Sequence, residues 1–568
     1  MRRGAEIRVI RYSARGMSRS TGWLPVAGFC FLLALFAVRL GDSAVRNSFT
    51  VDEPSYIGVG LYLWESGDYD YAATLTLHPP LAFHIASLPL LAFDLDDLPR
   101  ERGIVHRLFE REEPGWRALR IAGRIPFILL ACWGAAICFL WARAVAGDTA
   151  GLLATFLYTF SPTMLANGGL VHSDITVTVF FLQTLYALWL WLMKATPLRL
   201  LFCGVSLGLA LISKLNALVL LPSVALIFLV VVFRLRPARP TLPAPGPDAL
   251  GRRLAFAFGA AIGVFGAAIF VVWLGYGGSF RSAALEEGPW AGIQIPAYLL
   301  TLIFDETLNV SGRRVYLLGE FASEAWWYYF PVAFAVKVPV AISAMLGLAI
   351  AAPGQRPWRL GWLIGIPLAV YFVIACIWLE IVLGIRYVLP IFPLLFVFIA
   401  TQLVPLGGGW RRNSVGALCA WLAIASLWIH PHYLAYFNEV AGGPSRGHRY
   451  LLDSNIDWGQ DLTTLSEYLA DRGNPPVWLA YFGVEKPEQH GLRSRRLKGC
   501  RPVAGLVAIS TNVREGLYPP RRQIGAPKPG CYDWLKPYEP VAHVGYSIFV
   551  YEIPKDPSLR IDSEERGR

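Results

Sequence analysis

The chain has 568 residues, of which 55% are hydrophobic and only 16% are charged. A soluble domain carries about 25% charged residues, so this composition excludes a disordered chain, a collagen and an ordinary soluble enzyme. The apolar residues fall in blocks of roughly 20, the length that crosses the hydrocarbon core of a bilayer. The composition therefore predicts an α-helical polytopic membrane protein.

The formal net charge of +11 is compatible in principle with nucleic-acid binding. Much of the basic excess, however, lies in the N-terminal tail and in short loops between apolar blocks, where Lys and Arg set membrane orientation. We therefore expect the lipid bilayer as a partner and no nucleic acid.

Eleven apolar blocks are predicted to cross the membrane. The first follows a basic tail, residues 1–22, which is expected to be cytoplasmic. The predicted spans lie near 23–39, 118–142, 149–167, 174–193, 199–213, 215–233, 254–275, 329–351, 360–380, 386–404 and 414–430.

An odd number of spans places two long loops, 41–116 and 276–328, on the outer side of the membrane. The short outer turns near 168–173 and 381–385 hold no Lys or Arg. The predicted cytoplasmic turns do hold them, as the positive-inside rule requires.

The hydrophobic pattern divides the chain into a transmembrane domain, 23–431, and a polar remainder, 432–568. In the remainder, the helical pattern of DLTTLSEYLADRG is followed by short apolar runs such as VAGLVAIST and YSIFVYEI. These features predict a small C-terminal α/β domain outside the cytoplasm.

Several ionisable residues stand at the outer ends of the predicted spans or in the first outer loop. Two carboxylates and two cations gathered at one membrane surface would neutralise a phosphate and take a proton from an attacking hydroxyl. The alternatives are helix capping for the acids and interface anchoring for the bases. These ionisable residues on the predicted outer side are Asp52, Glu53, His78, Asp174, Lys214 and Arg386.

The segments around these residues resemble the GT-C superfamily of polyprenyl-phosphate-dependent glycosyltransferases. Within it, the chain is similar to the bacterial family 39-like proteins that include protein O-mannosyltransferases and the lipid A aminoarabinose transferase. The resemblance spans roughly residues 20–430. It rests on TVDEPSYIGVGLYLWESGDY with HPPL downstream, NGGLVHSDITVTVFFLQTLYALWLW, LGLALISKLNALVLLP, WWYYFPVAFAVKVP and GIRYVLPIFPLLFVF.

The resemblance implies roles for individual residues. Asp52 would be the catalytic base, accompanied by Glu53, and Asp174 matches the family's second acidic position among the catalytic residues, at the start of the fourth span. The implied substrate-binding residues are His78, Lys214, Arg386 and Tyr387 near the carrier phosphate. Trp326 and Trp327 are predicted to line the lipid groove of the carrier, and the alternative is an aromatic belt at the membrane surface. A later segment, HYLAYFNEVAGGPSRGHRYLLDSNIDWGQDL, also resembles bacterial members and has no implied role.

The resemblance further implies an inverting transferase in a bacterial inner membrane. The donor would be a polyprenyl monophosphate sugar, and the acceptor a hydroxyl of a protein, of lipid A or of another glycan. Enzymes of this branch generally need no metal, so no cofactor is expected, although two outer carboxylates leave a divalent metal open. The alternative function is a lipid or sugar transporter or flippase.

The cysteines divide into two groups. Six of the eight lie inside apolar blocks, whereas Cys500 and Cys531 lie in the polar C-terminal domain. Disulfides persist in the oxidising space outside the cytoplasm, so a Cys500–Cys531 bridge is predicted. The alternative is two free thiols.

Overall fold

The computed structural model describes residues 22–69, 78–93, 95, 115–234, 249–278, 282–284, 294–296, 298, 314–352, 358–378, 382–406, 409–497, 500–518 and 530–555. The predicted cytoplasmic tail and long parts of the two predicted outer loops lie outside these residues.

The region up to residue 431 is built of α-helices. In chain order they are α1 Trp23–Arg46, α2 Glu53–Ser66, α3 Leu81–Ser87, α4 Trp116–Ala146, α5 Asp148–Phe160, α6 Pro162–Gly168, α7 Ser173–Met193, α8 Pro197–Leu211, α9 Leu220–Arg234, α10 Ala249–Gly275, α11 Tyr329–Lys337, α12 Val340–Ala351, α13 Trp358–Trp378, α14 Ile391–Leu403 and α15 Trp410–Trp428. Two short antiparallel strand pairs accompany them, β1 Ser282–Ala284 with β2 Gln294–Pro296, and β3 Val315–Leu317 with β4 Glu320–Ala322.

Each of the eleven predicted spans coincides with one helix or with a broken helical pair. By length and composition, four of the described helices are suited to crossing a bilayer, and five if α11 and α12, bent by 110° at their junction, count as one span. The predicted helical membrane architecture is thus confirmed, while the number of spans stays a prediction.

Prolines explain two of the breaks inside the predicted spans. A residue before proline is pushed out of the α region by the proline ring. Ser161 before Pro162 has ψ 118°, and Val338 before Pro339 has ψ 130°, so one helix ends and the next begins. The first break produces the short helix α6, which leads into the turn before α7.

Helix α7 occupies the centre of the bundle, because 78% of its most apolar 18-residue window is buried. It packs against α4 and α8, and it is hydrophobic around most of its circumference, as expected for a helix surrounded by other helices. Its first turn carries Asp174, so this acid lies at one end of the bundle but inside it.

The C-terminal domain contains a five-stranded mixed sheet with the order β6-β5-β7-β9-β8. Strand β5 pairs in parallel with β6 and β7, and β9 pairs antiparallel with β7 and β8. The strands are β5 Val477–Ala480, β6 Ser494–Arg496, β7 Gly505–Ser510, β8 Ala542–Val544 and β9 Ile548–Ile553, and the helices are α16 Leu462–Ala470 and α17 Thr511–Arg514.

Side chains on the central strands alternate between two hydrophobic clusters, as the two-residue period of a strand requires. Val507 and Ile509 of β7 pack in one cluster, which also contains Cys531. Ala508 packs in the other cluster together with Leu465 of α16. The predicted small α/β domain is therefore present.

Cys500 and Cys531 form a disulfide bond, and their Cα atoms are 4.5 Å apart. The bridge joins the segment before β7 to a residue buried against the same sheet. The other six cysteines are free thiols.

Removing this bridge should destabilise the full chain. A closed loop of 31 residues stabilises by about 3–4 kcal/mol in the chain-entropy model. The double variant Cys500→Ser/Cys531→Ser should therefore unfold at a clearly lower temperature in detergent, whereas Cys419→Ser, which removes a free thiol, should not. Both thiols being alkylatable in the wild type without reductant would contradict the bridge.

Candidate active site

Asp174 lies at the centre of a buried charge cluster. Lys214 Nζ donates to Asp174 Oδ1 at 2.5 Å, and Arg386 Nη1 donates to Oδ2 at 3.0 Å. The Asp174 side chain has no exposed surface. One carboxylate therefore holds two cations that come from distant parts of the chain, and these two cations leave the cluster with a net positive charge.

Asp52 faces the same cluster from the residue before α2. Its Oδ2 lies 3.8 Å from Arg386 Nη2, and its side chain is 42% exposed. The side chain makes no capping hydrogen bond to α2, although Asp52 occupies the N-cap position. Helix capping therefore does not explain the position of the Asp52 side chain. The Asp52 carboxylate is accessible to solvent, whereas the Asp174 carboxylate is buried.

Glu53 has a different environment from Asp52. Arg124 of α4 grips its carboxylate with both ends of the guanidinium fork, Nε to Oε1 at 2.8 Å and Nη2 to Oε2 at 2.6 Å. The backbone amides of Thr50 and Val171 donate to the same two oxygens. Every Glu53 oxygen is thus engaged, and no surface of the residue is exposed.

Arg124 also fixes the chain just before Asp52. Its Nη1 donates to the carbonyls of Ala44 and Asn47, and its Nη2 donates to the carbonyl of Ser48. One buried guanidinium therefore determines the path of the turn between α1 and α2. Burial disfavours the ionised form of Glu53, but the charge and hydrogen bonds of Arg124 outweigh burial and lower the Glu53 pKa.

Arg386 is held on almost every side. Besides Asp174, its Nε donates to Ser454 Oγ at 2.9 Å, and the ring of Trp458 lies 4.2 Å from its Cζ. The remaining nitrogen, Nη2, points to Asp52. The guanidinium therefore presents one fixed edge to the exposed carboxylate.

Lys214 and Tyr387 stand next to each other. The Lys214 ammonium lies 4.1 Å from the centre of the Tyr387 ring, in the range of a cation–π contact. The carbonyl of Tyr387 accepts a hydrogen bond from Tyr371 of α13 at 2.6 Å. Tyr387 therefore borders the cation cluster, and its role in substrate binding stays a prediction.

His78 lies at the margin of the site. Its ring stacks on that of Tyr56 with centroids 6.0 Å apart, and the Tyr56 hydroxyl donates to Ser173 Oγ at 3.0 Å. The structure thus brings His78 close to the beginning of α7 through one intervening aromatic residue.

Trp326 and Trp327 are not joined to the charge cluster by any contact among the described residues. Trp326 is partly buried against the helical core, and Trp327 is 68% exposed. Both rings approach Tyr328. Their role along a lipid chain stays a prediction.

The C-terminal domain contributes residues that sequence reasoning did not place in the site. Besides Ser454 and Trp458, Glu485 accepts hydrogen bonds from the Phe49 amide at 2.6 Å and from Arg120 at 2.8 Å. Arg120 stands one helical turn before Arg124 on α4. Ser454 and Trp458 lie in DSNIDWGQD, where three aspartates in nine positions mark a polar segment but do not indicate its contact with Arg386.

No group of three or more His, Cys, Asp or Glu residues suited to a metal ion occurs in the described part of the chain. A site that works without a metal stays a prediction.

Part of the helical region matches a family model. Residues 117–243 match the family model described as dolichyl-phosphate-mannose-protein mannosyltransferase. This segment includes Arg124, Asp174 and Lys214. This partial match agrees with the resemblance to GT-C, family 39-like glycosyltransferases that was inferred from the sequence. A comparison with curated proteins gave no match.

The chain is also similar to solved structures. ArnT from Cupriavidus metallidurans, bound to undecaprenyl phosphate, is 14% identical with a TM-score of 0.46, covering 94% of this chain and 98% of ArnT. The S. cerevisiae protein O-mannosyltransferase Pmt1–Pmt2 complex, bound to the sugar donor, is 16% identical with a TM-score of 0.34, covering 46% and 35%. The Archaeoglobus fulgidus oligosaccharyltransferase in the apo form is 13% identical with a TM-score of 0.38, covering 70% and 55%.

Breaking the Glu53–Arg124 pair should strongly destabilise the protein. Glu53→Gln leaves the buried Arg124 without its counter-charge, which typically costs about 3–5 kcal/mol. Asp148→Asn is the matched control, because Asp148 pairs with Arg143 at the other end of α4, where both side chains are partly exposed. The control should cost below about 1 kcal/mol. Equal thermal unfolding of the two variants would contradict the anchoring role.

The same pair predicts a pH dependence. A carboxylate whose folded-state pKa is lowered stabilises the fold above its unfolded pKa, about 4.3 for Glu, and loses that contribution as the pH falls through the folded pKa. The stability advantage of the wild type over Glu53→Gln should be full at pH 7 and shrink below about pH 4. An advantage that is constant from pH 7 to pH 3 would contradict this assignment.

Proposed function

We propose that the chain transfers a sugar from a polyprenyl monophosphate carrier to an acceptor hydroxyl, with inversion at the anomeric carbon. The observation that carries the proposal is the accessible Asp52 carboxylate 3.8 Å from a buried arginine whose other edges are occupied. A base thus stands beside a cation that suits an anionic leaving group.

The proposed reaction is a single displacement. The acceptor oxygen attacks the anomeric carbon, Asp52 takes the hydroxyl proton, and the bond between the anomeric carbon and the phosphate oxygen breaks. The carrier phosphate leaves with the bonding electron pair, and Arg386 and Lys214 stabilise its added charge. Back-side attack inverts the configuration of the sugar.

In this mechanism Asp174 and Glu53 position other groups and do not accept the proton. Asp174 has no exposed surface and lies between two cations, which it aligns. Glu53 is saturated by Arg124 and two backbone amides, and it fixes the turn that presents Asp52. Asp52 is left as the carboxylate that an acceptor hydroxyl reaches.

The proposed site faces outward from a bacterial inner membrane. Two helices that begin near the site, α4 and α7, have a basic residue at the opposite end: Arg143 lies in the last turn of α4, and Lys194 directly follows α7. Basic residues mark the cytoplasmic ends of spans, so the site and the C-terminal domain would lie on the periplasmic side. A lipid-linked donor suits this side, where nucleotide sugars are scarce.

The relatives support the proposed class of sugar donor. The family model is described by a dolichyl-phosphate-mannose donor and a protein acceptor, and ArnT was solved with undecaprenyl phosphate. We propose a polyprenyl monophosphate sugar as the donor, with protein, lipid A or another surface glycan as the acceptor. The purified protein would be incubated with a panel of such donors. It should either hydrolyse a donor or transfer its sugar to an acceptor, and mass spectrometry would detect the products. Movement of the intact donor lipid without sugar transfer would favour a transporter or flippase.

Replacing the proposed base should remove most of the activity. Asp52→Asn keeps the size of the side chain but cannot take a proton, so the turnover number should fall about 10²–10⁴-fold. Donor binding should be retained, because the Arg386 and Lys214 contacts are unchanged. Asp42→Asn is the matched control, since Asp42 is a partly exposed carboxylate on α1 and pairs with Arg46.

The control should keep wild-type turnover. An Asp52→Asn variant that keeps more than about a tenth of wild-type turnover would contradict the proposed mechanism.

Removing the charge of Lys214 or of Arg386 should weaken the binding of the sugar donor. Lys214→Gln and Arg386→Gln keep a hydrogen-bond donor near Asp174 but lose the charge, and hydrogen bonds to charged groups are worth about 1.5–3 kcal/mol. The donor concentration for half-maximal rate should rise about tenfold or more. Arg472→Gln, on the surface of the C-terminal domain, should leave it unchanged. Unchanged donor dependence in both cluster variants would place the phosphate elsewhere.

A further inference from the structure

The segment 453–458 of the C-terminal domain reaches the cation cluster directly. Ser454 Oγ donates its proton to the carbonyl of Leu383, so its lone pairs are free to accept from Arg386 Nε, at 2.9 Å. Asn455 Oδ1 accepts from the backbone amide of Ile385 at 3.0 Å. Two consecutive side chains thus hold the short helical turn that carries Arg386.

The approach between the two segments is very close. Gly384 has φ +137°, and a Cβ there would lie 3.0 Å from Ser454 Oγ and 3.1 Å from Asn455 Oδ1. A larger residue would therefore push the 453–458 segment away from Arg386. Trp458 completes the enclosure, because it is buried and the centre of its ring lies 4.2 Å from Arg386 Cζ.

The 453–458 segment is itself anchored at both sides. On the sheet side, Asn512, in the helical turn after β7, accepts from the Asp453 amide at 2.8 Å and donates to the Asp457 carbonyl at 2.7 Å. On the bundle side, Lys337 of α11 donates to the Asn455 carbonyl at 2.6 Å. The segment therefore connects a rigid sheet to the helical bundle at the point where Arg386 lies.

We infer that Ser454 and Trp458 are positioning residues for Arg386, so that the C-terminal domain sets the orientation of the cation that meets the donor phosphate. The inference rests on the proposed function. Neither residue is placed against substrate, and both act through the guanidinium. Ser454 fixes its Nε edge and Trp458 fixes its plane, which leaves Nη2 directed toward Asp52.

A double-mutant cycle tests this inference in the full-length protein. Ser454→Ala and Arg386→Lys, which keeps the charge but loses the Nε–H, are made singly and together. The rate constant kcat/KM for donor is measured for each, and the midpoint of thermal unfolding confirms that each variant is folded. Ser454→Ala alone should lower kcat/KM about tenfold, with the loss shared between kcat and KM.

In the Arg386→Lys background the same substitution should change kcat/KM less than about twofold, because the contact it removes is already lost. Ser454→Thr keeps the hydroxyl and should restore most of the activity. Ser466→Ala is the matched control, since this serine of the same domain donates to the His490 carbonyl and has no contact with Arg386.

The outcomes separate the inference from the proposed function. Multiplicative losses in the double variant, or a silent Ser454→Ala beside an impaired Arg386→Lys, would overturn the positioning role alone. An Arg386→Lys variant with wild-type kcat/KM would also overturn the positioning role, whereas unchanged donor dependence in both Arg386→Gln and Lys214→Gln would contradict the proposed function. If Ser454→Ala does not fold, Trp458→Leu replaces it in the cycle with Trp458→Phe as the conservative variant, and the same non-additivity is expected.

Discussion

The buried ion pair between Arg124 and Glu53 is the interaction on which the site depends. Burying a guanidinium without a counter-charge inside a helical bundle would cost several kcal/mol of folding free energy, roughly 3–5 kcal/mol. The fold therefore pairs Arg124 with Glu53. Arg124 also donates to three backbone carbonyls, those of Ala44 in the last turn of α1 and of Asn47 and Ser48 in the turn after it. Because Asp52 directly precedes Glu53, this pair determines where the accessible carboxylate points.

A second constraint comes from the C-terminal domain, which closes the site from the other side. Arg120, one turn before Arg124, pairs with Glu485 of that domain, and Glu485 also accepts from the Phe49 amide. Helix α4 thus holds both the turn before Asp52 and the domain above it. Since the same domain touches Arg386 through Ser454, base and cation are positioned by one connected set of buried polar contacts.

Much of the fold was predictable from the sequence, because apolar blocks of membrane-spanning length have few alternatives to helices. The sequence also predicted that Asp174, Lys214 and Arg386 lie at the same membrane face, because the ends of successive spans alternate between the two faces. The hydrophobic pattern could not predict which of these ionisable residues contact one another, and so it could not assign their separate roles. Glu53 looks like Asp52 in the sequence, and only its pairing with Arg124, 71 positions away, distinguishes the two acids.

The same limit applies to the C-terminal segment and to the proline breaks. Nothing in DSNIDWGQD indicates contact with a residue 68 positions earlier, since such contacts depend on how the domain packs on the bundle. The breaks at Pro162 and Pro339 were visible as proline signals, but an apolar block does not reveal whether a helix kinks or turns by 110°. Trp326 and Trp327 are the opposite case: the sequence predicted a role for them near the site, but no contact among the described residues connects them to the charge cluster.

The most direct test of this account is to replace Arg124 by lysine, which keeps the charge but loses the fork that aligns the turn before Asp52. Arg143→Lys, at the other end of the same helix, is the control. Donor binding and single-turnover transfer would be measured on both folded variants. The account predicts donor affinity within a few-fold of wild type for Arg124→Lys but transfer slowed about 10²-fold, because a small displacement of a catalytic group has that effect. Wild-type transfer by a folded Arg124→Lys variant would contradict it.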